Sequence, residues 1–438
     1  MPLNLENLRS EKFATRVPDE TLDNFVKNAG EYFTALDRDI SKINPIDAID
    51  IIPAMAAFAE YFECESRWQQ LTLHALDVLR KGISRSLIHE FASFSGMSHV
   101  GFAINDLANK FPKAQPFLQG INKILCNNLL KYMKKSDTVE FMTAANYEVI
   151  LGLSGPLSYL LSINEKNEQI TDLIEQIVNA FIRRSKDTTL LGQQMTGWHY
   201  YPSKVEKAYM TEDAPNGIVN YGLSHGMAGP LVTLALAHKK GLRLNGLKGA
   251  INGLVAEFMR GLYHDEDNTV QWPGRITAEQ YLGLEPKQQV PRQQSWCYGS
   301  VGILRSLYIV GVVMGDRQTE KFAIDEMVKI AEMPLEKYML SQPIVCHGLA
   351  GTAAILDIMY QDTGRREFLT KVTEMVEVSA TYSTEIFLES EKKIANARSI
   401  SSRATLHEHL EGYNGIVQTI FSILKGRPTG HEKRLLML

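Results

Sequence analysis

Three short segments hold residue types suited to metal and thiol chemistry: "LSHG" ending at Gly226, "SWCYG" ending at Gly299 and "VCHG" ending at Gly348. They present His225, then Cys297 with Tyr298, then Cys346 with His347, each just ahead of a glycine that opens an apolar run. A helix entrance ordinarily has Ser, Thr, Asp or Asn as its cap, so thiols and imidazoles there ask for another reason. Two thiols and an imidazole fill three corners of a tetrahedral Zn²⁺ and leave the fourth open, as catalytic zinc sites do. Two thiolates already neutralise the ion. A third thiolate in the open corner makes the site net negative and stays nucleophilic at neutral pH, where a free thiol of pKa ~8.5 is mostly protonated. His225, at the matching position, fits an acid/base role. Cys64 and Cys126 read as small apolar core residues.

The elements that must position these groups announce themselves as a repeat. "GLSGPLSYLL" from Gly152, "GMAGPLVTLAL" from Gly226, "GSVGILRSLYIV" from Gly299, "GLAGTAAILDIM" from Gly348 and "GYNGIVQTIFSIL" from Gly412 all read G-x-x-G followed by an apolar run. The glycines permit tight entrance turns of positive φ and close backbone approach, and Pro156 and Pro230 sit where a first helical residue needs no N–H. Runs that are apolar nearly all round predict buried helices. Amphipathic segments between them, such as "TDLIEQIVNAFIRRS" (171–185) and "FAIDEMVKIAEM" (322–333), predict covering helices. Fainter copies lie at 94–108 and 49–62, which makes seven helix pairs with the first two, about residues 40–110, degenerate. A buried helix with its cover leaves an apolar face open, so the pairs predict a closed or solenoidal all-α assembly. Residues 1–438 are expected to be one domain, with an irregular insertion at about 186–220 in which strands are possible. In a cyclic arrangement the residues before each first glycine share one end of the ring, and His225, Cys297 and Cys346 with His347 converge.

Composition narrows the classes. The 438 residues are 45% hydrophobic and 22% charged, with a net charge of −4, an ordinary globular balance without the basic footprint of a nucleic-acid binder. Four scattered cysteines fit a reducing cytoplasm and no disulfide framework. No apolar run is long enough to span a bilayer.

With these motifs in hand, the chain resembles the lanthionine synthetase C-like family, the lantibiotic cyclases. "GLSHGMAG", "WCYGSVG" and "CHGLAG", supported by "YEVILGLSGPLSYLL" and "LEGYNG", carry the resemblance over roughly residues 145–425. It implies an α/α toroid of seven inner and seven outer helices with one zinc per chain, held by Cys297, Cys346 and His347. It implies His225 as acid/base, with Tyr298 lining the site. The implied reaction is Michael-type addition of a peptide cysteine to dehydroalanine or dehydrobutyrine, closing lanthionine or methyllanthionine rings. The implied partners are a dehydrated precursor peptide with its leader, a separate dehydratase and an export transporter, with no nucleic acid, in the cytoplasm or peripherally at the membrane. Two positions depart from the family pattern. Glu148 stands where an Asp is usual, and is expected to orient His225 with a longer reach. Gln293 stands where an Arg is usual, with Arg292 one residue away. A relative that adds glutathione to dehydroamino acids, and a zinc-containing peptide-binding adaptor without catalysis, are the competing readings. Sugar hydrolysis needs paired carboxylates, and the helix entrances offer only Glu148 and Glu411. Trp272 and the 186–220 stretch are candidates for peptide or leader recognition.

Overall fold

The structure is a computed structural model. It describes residues 8–9, 11, 13–88, 90–136, 143, 146–164, 166–202, 214–287, 293–389, 392, 406–426 and 428–437. In chain order its helices are α1 (Asp19–Asp39), α2 (Pro45–Ala57), α3 (Glu65–Ser84), α4 (Met97–Lys110), α5 (Gln115–Ser136), α6 (Ser154–Ser162), α7 (Glu168–Arg184) and α8 (Ala228–Lys239). They continue as α9 (Leu247–Gly261), α10 (Ala278–Leu282), α11 (Ser300–Met314), α12 (Arg317–Glu332), α13 (Leu349–Thr363), α14 (Arg366–Ala380), α15 (Tyr413–Lys425) and α16 (His431–Arg434). Among the described residues, seven helices are buried along most of their length: α2, α4, α6, α8, α11, α13 and α15. Their sequences are largely apolar, so burial of most of their surface satisfies them. Seven further helices, α1, α3, α5, α7, α9, α12 and α14, bury one face only. No described helix is long and apolar enough to cross a membrane.

Two compact units interleave along the chain. The first comprises Met1–His89, His99–Ile121 and Leu340–Glu432. In it α13 packs on α14 and α15, α15 packs on α2, and α2 packs on α3. The cover of the last buried helix comes from the start of the chain: α1 lies against α14 and α15. There the Asn28 amide donates to the Ala380 and Tyr382 carbonyls at 2.9 and 3.2 Å. Phe58, at the end of α2, stacks on Phe421 of α15 with centroids 3.9 Å apart.

The second unit comprises Glu90–Ser98, Asn122–Met339 and Lys433–Leu438. Here α6 packs on α7 and α8, α8 on α9 and α11, and α11 on α12. The expected irregular stretch contains strands. β1 (Thr188–Leu190) and β2 (Gln193–Met195) form a hairpin across Leu191 and Gly192, both at positive φ as a two-residue turn requires. β3 (Ile218–Asn220) pairs with a later strand, which follows the small ribbon of β4 (Tyr263–His264) and β5 (Val270–Gln271). That partner is β6 (Arg275–Thr277), antiparallel with Asn220 opposite Arg275. Residues 203–213 of the stretch lie outside the described residues.

The helix entrances repeat one backbone device. The N–H of Met97, Ser154, Met227 and Leu349 donates to the carbonyl seven residues back, on Glu90, Tyr147, Asn220 and Gln342, at 2.7 to 3.2 Å. These bonds occupy donors that a helix start leaves unpaired, and none of the helices beginning at 154, 228, 300, 349 or 413 has a side-chain cap. At α6, α8 and α13 the side chains of the entrance loops are thereby relieved of capping, whereas at α11 the Ser300 N–H donates to the Gln294 side-chain oxygen at 3.2 Å. Positive φ is not the general reason for the first glycines, since only Gly299 of the five adopts it (φ 102). Close packing is the commoner one: a Cβ on Gly226 or Gly348 would strike backbone carbonyls of its own loop. Pro156 and Pro230 fall on the third helical residue, whose N–H is still among the unpaired four.

Candidate active site and metal ligands

Within each unit, neighbouring entrance loops are tied by a second repeated bond, which gives their residues equivalent positions in the repeat. In the second unit the N–H groups of Ser93 and Phe94 donate to the Ile150 carbonyl, that of Val149 to Ser224, and those of Leu223 and Ser224 to Cys297. In the first unit Val345 and Cys346 donate to Leu410. Each acceptor is the second residue before a first glycine. Phe94, Ile150, Ser224, Cys297, Cys346 and Leu410 therefore occupy one structural position, and Ser95, Leu151, His225, Tyr298, His347 and Glu411 the next. The two cysteines share a step of the repeat. His225, Tyr298 and His347 share the following one.

His225 and Glu148 meet directly, Nδ1 to Oε2 at 2.7 Å. The His225 side chain is 40% exposed, whereas that of Glu148 is fully buried. A carboxylate without solvent needs donors, and Glu148 has them: the Ile150 N–H at 3.1 Å, the Leu151 N–H, and the imidazole. Because an ionised carboxylate only accepts, it places the imidazole proton on Nδ1 and turns Nε2 to the exposed side.

Tyr298 is held on three sides. Its hydroxyl accepts from the Asn220 amide at 3.0 Å, and its ring lies 6.5 Å from that of His225. A Cβ on Gly222 would come within 2.7 Å of the ring. Burial pushes the phenol up to about 12, partly offset by the Asn220 bond and the Arg275 charge. Asn220 is pinned in turn, its Oδ1 accepting the Gly222 N–H at 2.9 Å.

Cys297 is buried and Cys346 partly so. The Ser295 hydroxyl reaches the Cys297 sulfur at 3.6 Å and donates to the Tyr298 carbonyl at 2.6 Å. Cys346 and His347 follow one another on the loop into α13. Cys297, in the second unit, and Cys346 with His347, in the first, each offer one ligand atom for a metal ion. Two sulfurs and a nitrogen are the donor set of an open zinc site, which these residues fit. Cys64 is exposed. Cys126 is buried, its thiol raised to about 11 by desolvation, as suits a core residue.

Other expectations fare differently. Trp272 is 1% exposed, with its indole N–H bonded to the Phe258 carbonyl at 2.7 Å, and so presents no recognition surface. Gln293 is half-buried, and Arg292 lies outside the described residues. Asn220, Ser295 and Arg275 belong to the site's surroundings but carry no motif. Only the pairing of β3 with β6 brings Asn220 and Arg275 face to face.

A family model described as "Lanthionine synthetase C-like protein" matches residues 51–433. "Nisin biosynthesis protein NisC" of Lactococcus lactis subsp. lactis is 27% identical over 281 residues, covering 63% of this chain and 63% of that protein. A solved structure named "Nisin cyclase" superposes with a TM-score of 0.72 at 20% identity, covering 89% of this chain and 90% of that one. Its α/α-toroid fold is the fold class of this chain.

Proposed function

The chain belongs to the lanthionine synthetase C-like family, and from that membership we propose that it is a zinc-dependent lantibiotic cyclase, with residues 1–438 working as a single cyclase domain. It closes lanthionine and methyllanthionine rings in a dehydrated precursor peptide. The observation that carries the reading is the register of the entrance loops. That register puts Cys297 and Cys346 on one step of the repeat, and puts a histidine backed by a buried carboxylate on the next.

Cys297, Cys346 and His347 would hold the ion, and bound Zn²⁺ supplies the lowered pKa that makes a peptide thiol a thiolate nucleophile at neutral pH. Glu148 fixes the tautomer of His225, so proton traffic runs through Nε2. His225 takes the proton that the thiol gives up. Sulfur bonds to Cβ of the dehydro residue, the double-bond pair shifts onto the adjoining carbonyl as an enolate, and His225 returns the proton to Cα. The sum is addition of S–H across C=C, with nothing consumed and nothing released. Tyr298, kept neutral by burial, forms a wall beside the imidazole. A separate dehydratase must supply the substrate, the leader mediates its binding, and an export transporter takes the product, with the cyclase cytoplasmic or peripheral at the membrane.

The test has two parts. Protein purified without added zinc is expected to hold about one zinc per chain, lost in Cys346→Ala. The loaded protein is expected to consume the thiols of a dehydrated precursor peptide without change of mass. A folded parent without zinc, or thiols that persist, would sink the reading. Loss of free glutathione in place of peptide thiols would favour the glutathione-adding alternative.

A further inference from the structure

The ribbon of β3 and β6 sets Asn220 directly opposite Arg275, and directly opposed residues project from the same face of an antiparallel pair. Asn220 spends its amide on the Tyr298 hydroxyl and its carbonyl on the Gly222 N–H. The ribbon is thus clamped to the ring that flanks His225, and Arg275 stands on that same face. Arg275 is half-buried, and among the described residues no carboxylate or carbonyl engages its guanidinium. Two other arginines of this unit do meet such acceptors: Arg260 lies on Glu257 and over Tyr281, and Arg305 donates to the Met437 carbonyl. A guanidinium offers five donors in a planar fork matched to oxyanions, and withdrawing it from water without an acceptor is costly. Its charge is already felt at the Tyr298 phenol.

We propose that Arg275 is a catalytic residue whose guanidinium binds the carbonyl oxygen of the dehydro residue and stabilises the enolate that forms there. The proposal rests on the cyclase reading. As the sulfur–carbon bond forms, the C=C pair moves toward that oxygen, which gains the negative charge. Arg275 donates hydrogen bonds to it without transferring a proton, and the charge disappears when Cα takes its proton from His225. A fixed cation aimed where charge develops acts on the transition state more than on the bound substrate.

The experiment compares the zinc-loaded parent with Arg275→Gln and Arg275→Lys, following thiol loss on a dehydrated precursor peptide, with zinc content and circular dichroism for each. Arg275→Gln is expected to lower kcat about 100-fold with KM within about threefold, as loss of one oxyanion donor does, and with zinc unchanged. Arg275→Lys, which keeps the charge, is expected to recover at least a tenth of the parent kcat. Parent-like kcat in Arg275→Gln would overturn the role of the arginine and leave the cyclase reading intact. Loss of zinc or fold in both variants would overturn it too, by making the residue structural. A parent that closes no rings would fell the functional reading first, and this role with it.

Discussion

Glu148 has no exposed surface, yet it carries the charge that orients an imidazole open to solvent. Its three donors are what make burial of that charge tolerable, since a buried carboxylate that loses its partners is strongly destabilising. Glu148→Gln keeps the shape and the acceptor oxygen but removes the charge that favours imidazolium. Ring closure is expected to slow about 100-fold or more, with zinc content unaltered, as scored by thiol alkylation and mass spectrometry. Tyr298 invites the opposite expectation. Burial raises its phenol to about 12, so it stays protonated through the whole neutral range and contributes no limb to the pH–rate profile. Tyr298→Phe should therefore leave the shape of that profile between about pH 6 and 9 unchanged, even if the rate falls through the lost bond to Asn220. A missing alkaline limb in the variant alone would contradict this.

At the scale of the helix, the second glycine of G-x-x-G is the element most closely fitted to its neighbours. A Cβ on Gly229 would lie 2.6 Å from a Val149 methyl, and one on Gly155 would strike Ser93. Gly229→Ala is expected to cost about 1–3 kcal/mol by overpacking. Gly249, exposed on α9 with nothing near its Cβ position, is expected to gain about 0.5–1 kcal/mol as Ala. Urea unfolding of the pair decides both. Asp357 on α13 carries a different liability. Desolvation, helped by Glu432, raises its carboxyl to about 7, against about 3.9 in an unfolded chain. The folded state then binds the extra proton, so stability is greatest below the unfolded value and declines as pH rises toward 7. Asp357→Asn should flatten the slope between about pH 4 and 7, measured as urea midpoints across that range.

On the scale of the whole chain, much was legible because it was written in period and composition. The G-x-x-G runs located α6, α8, α11, α13 and α15, and the placement of Cys297, Cys346 and His225 ahead of their glycines is what the proposed chemistry starts from. What was hidden depends on contacts far apart in sequence. That α1 covers the last buried helix, α15, could not be read from "TLDNFVKNAGEYFTAL", whose amphipathic stripe does not say what it meets. Phe33 is fully buried in that cover; Phe33→Ala is expected to cost about 3–5 kcal/mol, read from thermal or urea unfolding. The partnership of Asn220 with Arg275 was equally invisible, since two- and three-residue strands leave no periodic trace.

The loop-to-loop bonds have an evolutionary corollary. Donor and acceptor are both main chain, so these bonds do not depend on which side chain stands at the second position before each first glycine. Phe94, Ile150 and Leu410 sit in the same socket as Cys297 and Cys346. Selection could therefore write, erase and rewrite the reactive groups without refolding the protein, and an inactive descendant would keep its architecture while its chemistry drifted.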